Sequence, residues 1–182
     1  MGVAVVRMLR RERGWTLEAL AEQAGMTKSY LSKVERGHST PSIAVAMQLA
    51  AALDVDVAAL FGSPDDQAVL EISRAEARGG AARHTPPDSS PYAGLATRMA
   101  GKQMMPFVLH PTTTSAQCTF REHDGDEFVL VLRGRVELRF PDRTEVLGTG
   151  DSAYFRGGQP HYFRAVDDEP AELLAVIAGG PG

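Results

Sequence analysis

A second cysteine is missing from the 182 residues: Cys118 stands alone. An intramolecular disulfide is thereby excluded, as is a multi-thiolate metal site built within one chain. The lone thiol reads as a small buried hydrophobe. No apolar run approaches the ~20 residues that a membrane-spanning helix requires, so no membrane partner is expected. The opening MGVAVVRMLRRERG meets its first charge at Arg7, too early for a secretory core, and Val6 breaks the myristoylation pattern. A cytoplasmic protein is expected. A strong positive charge is missing too, since the formal net charge of −4 argues against a general polyanion binder.

What the chain does have is ample apolar material, 43% of its residues, and a clear change of pattern part-way along. Helical spacing rules up to Leu60. Gly62-Ser63-Pro64-Asp65-Asp66 then breaks it. We expect an α+β protein in two domains: an all-α domain over 1–63, a linker at 64–67 and an all-β domain over 68–182.

In the first part, Val5, Val6 and Leu9, with Met8 beside them, predict a helix whose other side carries Arg7, Arg10, Arg11 and Arg13. Thr16 can cap a second helix with Leu17, Leu20, Ala21 and Ala24 on its buried face. Gly25 can take the left-handed backbone of a sharp stop, and Thr27 caps a third helix. There only Leu31 and Val34 clearly require burial. Lys28, Ser29, Ser32, Lys33 and Arg36 remain as a polar face whose one acid neighbour is Glu35. Small polar and cationic side chains on one helix face suit base edges and phosphates. Pro41 or Ser42 can begin a fourth helix through Leu53, and Asp54 or Asp56 can cap a fifth over Val57–Phe61.

The run RGWTLEALAEQAGMTKSYLSKVERG, with Pro41 and Leu60 beyond it, resembles the helix-turn-helix domain of the XRE, or Cro/repressor-type, transcription regulators. The resemblance implies a five-helix domain, an arginine of the first helix paired with Glu35, and a third helix that reads DNA. Lys28, Ser29 and Lys33 would carry most of the base or phosphate contact, with Thr16, Thr27 and Ser32 assisting at the backbone. A plain αα-hairpin uses the same turn without any DNA role. Residues 1–63 hold seven basic residues against six acids, a net of +1 that leaves −5 for the rest. That modest charge favours a dimer, in which two basic faces add.

Beyond the break, Val69, Leu70 and Ile72 suggest a strand. Gly79–Pro91 reads as a long turn-rich loop, and strand character resumes at Tyr92–Ala96 and Phe107–Leu109. From Phe120 the pattern is all-β: Glu127–Leu132, the alternation of Val136, Leu138 and Phe140, then strands near Ser152–Phe155, His161–Val166 and Glu172–Ile177. Short strands with Gly-rich turns imply a barrel or sandwich.

Within this half, His123-x-x-x-Glu127 and a later Gly157-Gly158-Gln159-Pro160-His161 supply two imidazoles and a carboxylate. Together with Gly134 and Gly150 they resemble the two motifs of the cupins, a double-stranded β-helix fold. Arg121 stands where a first histidine would be, and Arg156 replaces a proline. Three readings of the pocket stand side by side. His123, Glu127 and His161 form a facial triad for one divalent metal, Fe, Zn, Mn or Ni. Without metal, the same groups and Arg121 hold an anionic or polar small molecule. Finally, they are satisfied polar residues of the core.

A helix-turn-helix followed by one cupin resembles a large group of bacterial regulators. The resemblance implies a sequence-specific regulator that binds a double-stranded DNA operator as a homodimer joined through the cupins and senses a small-molecule effector. The alternative is an enzyme: the same architecture is similar to hydroxypropylphosphonate epoxidase, a mononuclear non-haem iron enzyme. A third reading is a ligand-binding module whose helices only support a dimer.

Overall fold

The computed structural model describes residues 3–60, 69–75, 90–99, 101–114, 118–166 and 169–178. Among these residues, four α-helices, α1 (Val3–Glu12), α2 (Leu17–Gln23), α3 (Lys28–Glu35) and α4 (Ile43–Ala52), precede a 3-10 turn at Val57–Leu60. Among them too, eight strands follow: β1 (Tyr92–Gly94), β2 (Met104–Leu109), β3 (Asp126–Arg133), β4 (Arg135–Arg139), β5 (Thr144–Gly148), β6 (Ser152–Arg156), β7 (Tyr162–Ala165) and β8 (Glu172–Ala178). The chain divides into two compact units, residues 1–72 with 96–102, and residues 73–95 with 103–182.

In the helical unit, the starts of α2, α3 and α4 are each fixed by a hydroxyl. Thr16 accepts from Ala19 N–H (3.1 Å), Thr27 from Tyr30 N–H (3.2 Å) and Ser42 from Val45 N–H (3.3 Å). Caps of this kind contribute about 1 kcal/mol each. The ends are fixed by a left-handed residue. After α2, Gly25 takes φ 64° and lets Met26 N–H reach Ala21 O at 2.9 Å while its own N–H reaches Glu22 O. This double bond pattern satisfies carbonyls that a helix end leaves open. After α4 the same pattern runs through Asp54, a non-glycine residue at φ 47°. Leu20, Leu31, Leu49, Leu53 and Leu60 meet in a core from which water is excluded.

The expectation of a fifth α-helix is corrected. Val57–Leu60 is a single 3-10 turn, too short for an α-helical ladder, and Phe61 lies outside the described residues. Nor do Val69, Leu70 and Ile72 form a strand. They are 97%, 72% and 58% exposed in irregular backbone, and among the described residues no strand pairs with them. The expected linker at 64–67 and all but the end of the loop expected over Gly79–Pro91 lie outside the described residues.

In the second unit, one sheet runs in the order β1-β2-β8-β3-β6 and the other β5-β4-β7, every pairing antiparallel. Alternation sends Glu127, Val129 and Val131 of β3 inward. Phe155 of β6 meets Phe140 (centroids 5.4 Å apart) and Phe163 of β7 (6.4 Å), so side chains of the two sheets interdigitate. The segment 121–123 bonds to the β6–β7 connection, Arg121 bridging His161 and His123 N–H donating to Gly157 O.

Candidate functional site

Two arrangements of side chains stand out, one in each unit. In the first, Arg10 of α1 grips Glu35 of α3 through two hydrogen bonds, Nε to Oε1 at 2.6 Å and Nη2 to Oε2 at 2.9 Å. Its remaining Nη1 donates to Trp15 O at 2.7 Å. Arg10 is thus the arginine expected opposite Glu35. The bond to Glu35 raises its guanidinium's pKa, partly against the opposing effect of burial. A planar fork on a carboxylate fixes both orientation and distance, so α3 is held against α1.

That clamp leaves the outer face of α3 free of buried neighbours. Thr27, Lys28, Ser29 and Lys33 are exposed, Ser32 is half-buried, and Thr16 is exposed at the start of α2. The Thr16 and Thr27 hydroxyls serve as helix caps. Lys28 forms an exposed ion pair with Glu18 of α2.

The second arrangement lies inside the barrel. Glu127 sits mid-sheet on β3, opposite Phe155 of β6 and Ile177 of β8, and is 3% exposed. His123 Nε2 lies 2.8 Å and His161 Nε2 3.1 Å from the same oxygen, Glu127 Oε2. One ligand atom from each of the three residues falls within 4.8 Å of the others.

The other ring nitrogens decide what this means. His123 Nδ1 is 3.0 Å from Asp124 O and His161 Nδ1 2.7 Å from Gln159 O. Carbonyls only accept, so both Nδ1 atoms carry protons, and a neutral ring then turns the Nε2 lone pair toward Glu127. Two lone pairs facing one carboxylate oxygen demand a cation among them, either protons or a metal ion. Ligands about 2.1 Å from a metal and roughly at right angles are about 3 Å apart, close to both separations. The residues therefore fit a divalent metal, and the backbone acceptors behind each imidazole are the supports that metal-binding histidines use. Titration in the absence of a metal follows the same geometry. Burial alone would lower the His123 pKa, but the bonds to Glu127 and the Asp124 carbonyl carry it above its ordinary value. Burial would likewise raise Glu127, and the two imidazoles hold it below the usual carboxylate range.

Arg121 pairs with His161 through both backbone hydrogen bonds, each 2.9 Å. Paired residues of an antiparallel bridge share a face.

The helix-turn-helix family profile matches residues 6–60, and that of the cupin domain matches residues 107–177. The HTH-type transcriptional regulator y4dJ of Sinorhizobium fredii is 38% identical over 58 residues, a match that spans 75% of its length and 32% of this chain. The chain belongs to the helix-turn-helix family of transcriptional regulators. SlrR of Bacillus subtilis, a regulator of the same type, is 40% identical over 58 residues, 31% of this chain and only 38% of SlrR. SutR of Escherichia coli, also HTH-type, is 24% identical over 177 residues and is matched along 91% of its length and 94% of this chain. Among solved structures, an HTH_3 family regulator from Vibrio cholerae superposes with a TM-score of 0.70 at 24% identity, covering 98% of this chain and 95% of that one. Hydroxypropylphosphonic acid epoxidase from S. wedmorenis superposes at 0.52 with 22% identity, covering 96% and 95%. The two structures share this regulator's fold.

One participant escaped the sequence reading. A Cβ on Gly157 would lie 2.3 Å from His123 Cε1 and 2.4 Å from its Nδ1. The His123 ring lies directly on that backbone, and His123 N–H donates to Gly157 O at 3.0 Å. Gly157-Gly158 stands in the second motif ahead of His161, yet a glycine in a motif gives no hint that a ring lies against it. The aromatic wall about His161, with Phe155 at 4.7 Å and Phe163 at 5.9 Å, also needs the folded sheets to be seen.

Proposed function

We propose that this regulator binds a two-fold symmetric DNA operator as a homodimer and adjusts that binding to a small molecule, or a metal and its ligand, held by His123, Glu127 and His161. The observation that carries the reading is the outer face of α3. It offers Lys28, Ser29 and Lys33 to solvent while Arg10 and Glu35 fix the helix from behind. Lys33 and Lys28 meet phosphates or base edges, Ser29 and Ser32 add hydrogen bonds, and Thr16 and Thr27 approach the DNA backbone. The setting is the cytoplasm; among the described residues no helix is long and apolar enough to cross a membrane.

A second copy is drawn to the outer face of the five-stranded sheet. Pro106, Val176, Phe128 and Tyr154 lie in register across β2, β8, β3 and β6. Of these, Phe128 is 37% and Tyr154 66% exposed. A contiguous apolar row on one face supports association. Phe128→Asp is expected to give a monomer by light scattering; an unchanged mass would move the interface elsewhere.

When bound, a divalent metal (Fe, Zn, Mn or Ni) supplies Lewis acidity and open positions for an effector's polar atoms. This chain's part is to present two imidazoles as neutral ligands by holding each Nδ1–H on a carbonyl, to keep Glu127 ionised, and to wall the site with Phe155 and Phe163. Arg121 favours an anionic effector. His123→Ala is expected to abolish metal uptake measured by elemental analysis.

The deciding experiment is fluorescence anisotropy against duplexes tiled from the gene's own upstream region, at several salt concentrations with scrambled competitor. Saturable binding to one duplex that weakens with salt supports the regulator. No preference, with or without divalent metal, counts against it. A second reading, a non-haem iron oxidoreductase, is favoured by the triad of two imidazoles and one carboxylate together with the epoxidase-like fold. Oxygen consumption by iron-loaded protein with small acids would speak for it.

A further inference from the structure

Glu18 places a negative charge beside the helix proposed to read DNA, where phosphates would repel it. It is the second residue of α2, in the turn that Thr16 caps. Lys28 is the first residue of α3, in the turn that Thr27 caps. The Lys28 ammonium donates to Glu18 Oε1, which ties the starts of the two helices together across the Gly25 turn. Both side chains are well exposed.

The fold has little use for this pair. An exposed ion pair adds little stability, and both helix starts already have their hydroxyl caps. The bond to Lys28 also holds the Glu18 carboxyl below the usual carboxylate range. Glu18 therefore stays an ion that accepts hydrogen bonds and donates none.

Together the two side chains present a donor and an acceptor one hydrogen bond apart. The major-groove edge of a base pair presents the complement at the same spacing. In G·C the O6 acceptor of guanine is hydrogen-bonded to the N4 amino group of cytosine, and in T·A the O4 acceptor of thymine is bonded to the N6 amino group of adenine. An ammonium on the keto oxygen and a carboxylate on the amino group engage both strands at once. Guanine answers better than thymine, because its N7 gives the ammonium a second acceptor where thymine carries a methyl group. Reversing the base pair sets ammonium against amino group and carboxylate against keto oxygen, and both contacts repel. The two helix starts fix which side is donor and which is acceptor, so orientation is read along with composition.

We propose that Glu18 and Lys28 act as one reading unit for a single G·C base pair in each half-site, with Lys28 on guanine and Glu18 on cytosine, so that Glu18 sets specificity more than affinity. The inference rests on the DNA-reading role proposed for α3 and deepens it. Specificity of this kind comes from penalising the wrong partner. On the matched base pair the carboxylate still competes for the ammonium and still faces phosphates, so its contribution shows in the ratio between sequences.

The test uses the full chain as wild type, E18Q and K28A. Each selects duplexes from a random pool, with and without divalent metal, and the duplex preferred by wild type is then titrated by fluorescence anisotropy against versions in which each G·C pair is reversed. A glutamine amide can donate or accept, so E18Q should tolerate either orientation. At one position per half-site, wild type is expected to reject the reversed pair by about ten-fold or more and E18Q by less than about three-fold. K28A should lose its preference at that same position, while both variants keep the wild-type preferences elsewhere. A helical unit that is merely destabilised would weaken binding to every duplex alike. The proposal is overturned if E18Q keeps the wild-type preference at every position, if K28A weakens all duplexes uniformly as loss of a phosphate contact would, or if the two variants lose different positions. A wild type that selects no sequence removes the DNA-reading role and this inference with it, whereas a sequence selected equally by wild type and E18Q removes this inference alone.

Discussion

Each unit buries a glutamate, and the two differ in what answers the charge. Glu35, 8% exposed, faces the guanidinium of Arg10. Glu127, 3% exposed, faces two imidazoles. A guanidinium does not give up its proton in a protein, and its donor fork is consumed by the carboxylate and the Trp15 carbonyl, so the Glu35 site is closed and structural. An imidazole can lose its proton and offer a lone pair instead, so the Glu127 site can exchange protons for a metal ion. The kind of partner, more than the depth of burial, separates a closed brace from a site whose residues fit a metal ion.

The contrast can be broken most forcefully at the brace. Arg10→Met removes one partner of a buried pair and is expected to destabilise the helical unit by about 3 kcal/mol, read from urea unfolding followed by Trp15 fluorescence. Arg10→Met with Glu35→Met should recover much of that loss, because no charge is then left buried alone. If the double variant is no more stable than the single one, Glu35 has a role besides answering Arg10. At the barrel site, Gly157→Ala pushes a methyl group into the His123 ring. Metal affinity should fall by about 10–100-fold, the usual effect of disturbing a ligand's support. Trp15-detected stability should move far less than in Arg10→Met; a comparable fall would mean that Gly157 serves folding rather than the site.

Legibility in the sequence followed the range of the interactions. The caps at Thr16 and Thr27 and the stop at Gly25 were readable because each acts within a few residues. The triad was readable through its two motifs, although His161 comes from the turn before β7 and Glu127 from β3. The ladder of barrel strands followed from alternation, but the strand expected at Val69, Leu70 and Ile72 failed because apolar composition alone cannot supply a partner. Gly157 beneath His123 and the carbonyls of Asp124 and Gln159 could not be read at all. A backbone acceptor has no residue type, and contact with a ring depends on a turn closing in three dimensions. The fifth helix was misjudged for a related reason: four residues can satisfy an apolar pattern without reaching α-helical length.

Smaller effects sharpen the comparison on the outer face of α3, where charges are neither closed nor buried. Thr27→Ala should cost about 1 kcal/mol of helical-unit stability through the lost cap. Lys33→Ala should weaken DNA binding and flatten the log–log salt dependence by about one unit if Lys33 meets a phosphate. An unchanged slope would remove Lys33 from that role. The smallest effect belongs to Glu18→Gln. Glu18 and Lys28 are both well exposed, 60% and 59%, and an exposed pair adds little to the fold, so the unfolding midpoint should not move. If Lys28 meets DNA as proposed, DNA competes with Glu18 for its ammonium, and removing that competitor should strengthen binding by a small factor, under about five-fold. The gain should shrink as salt rises, since salt already screens the surface pair. If Glu18→Gln instead weakens binding, the Glu18–Lys28 pair orients the lysine for its contact, and even this exposed carboxylate acts as a brace.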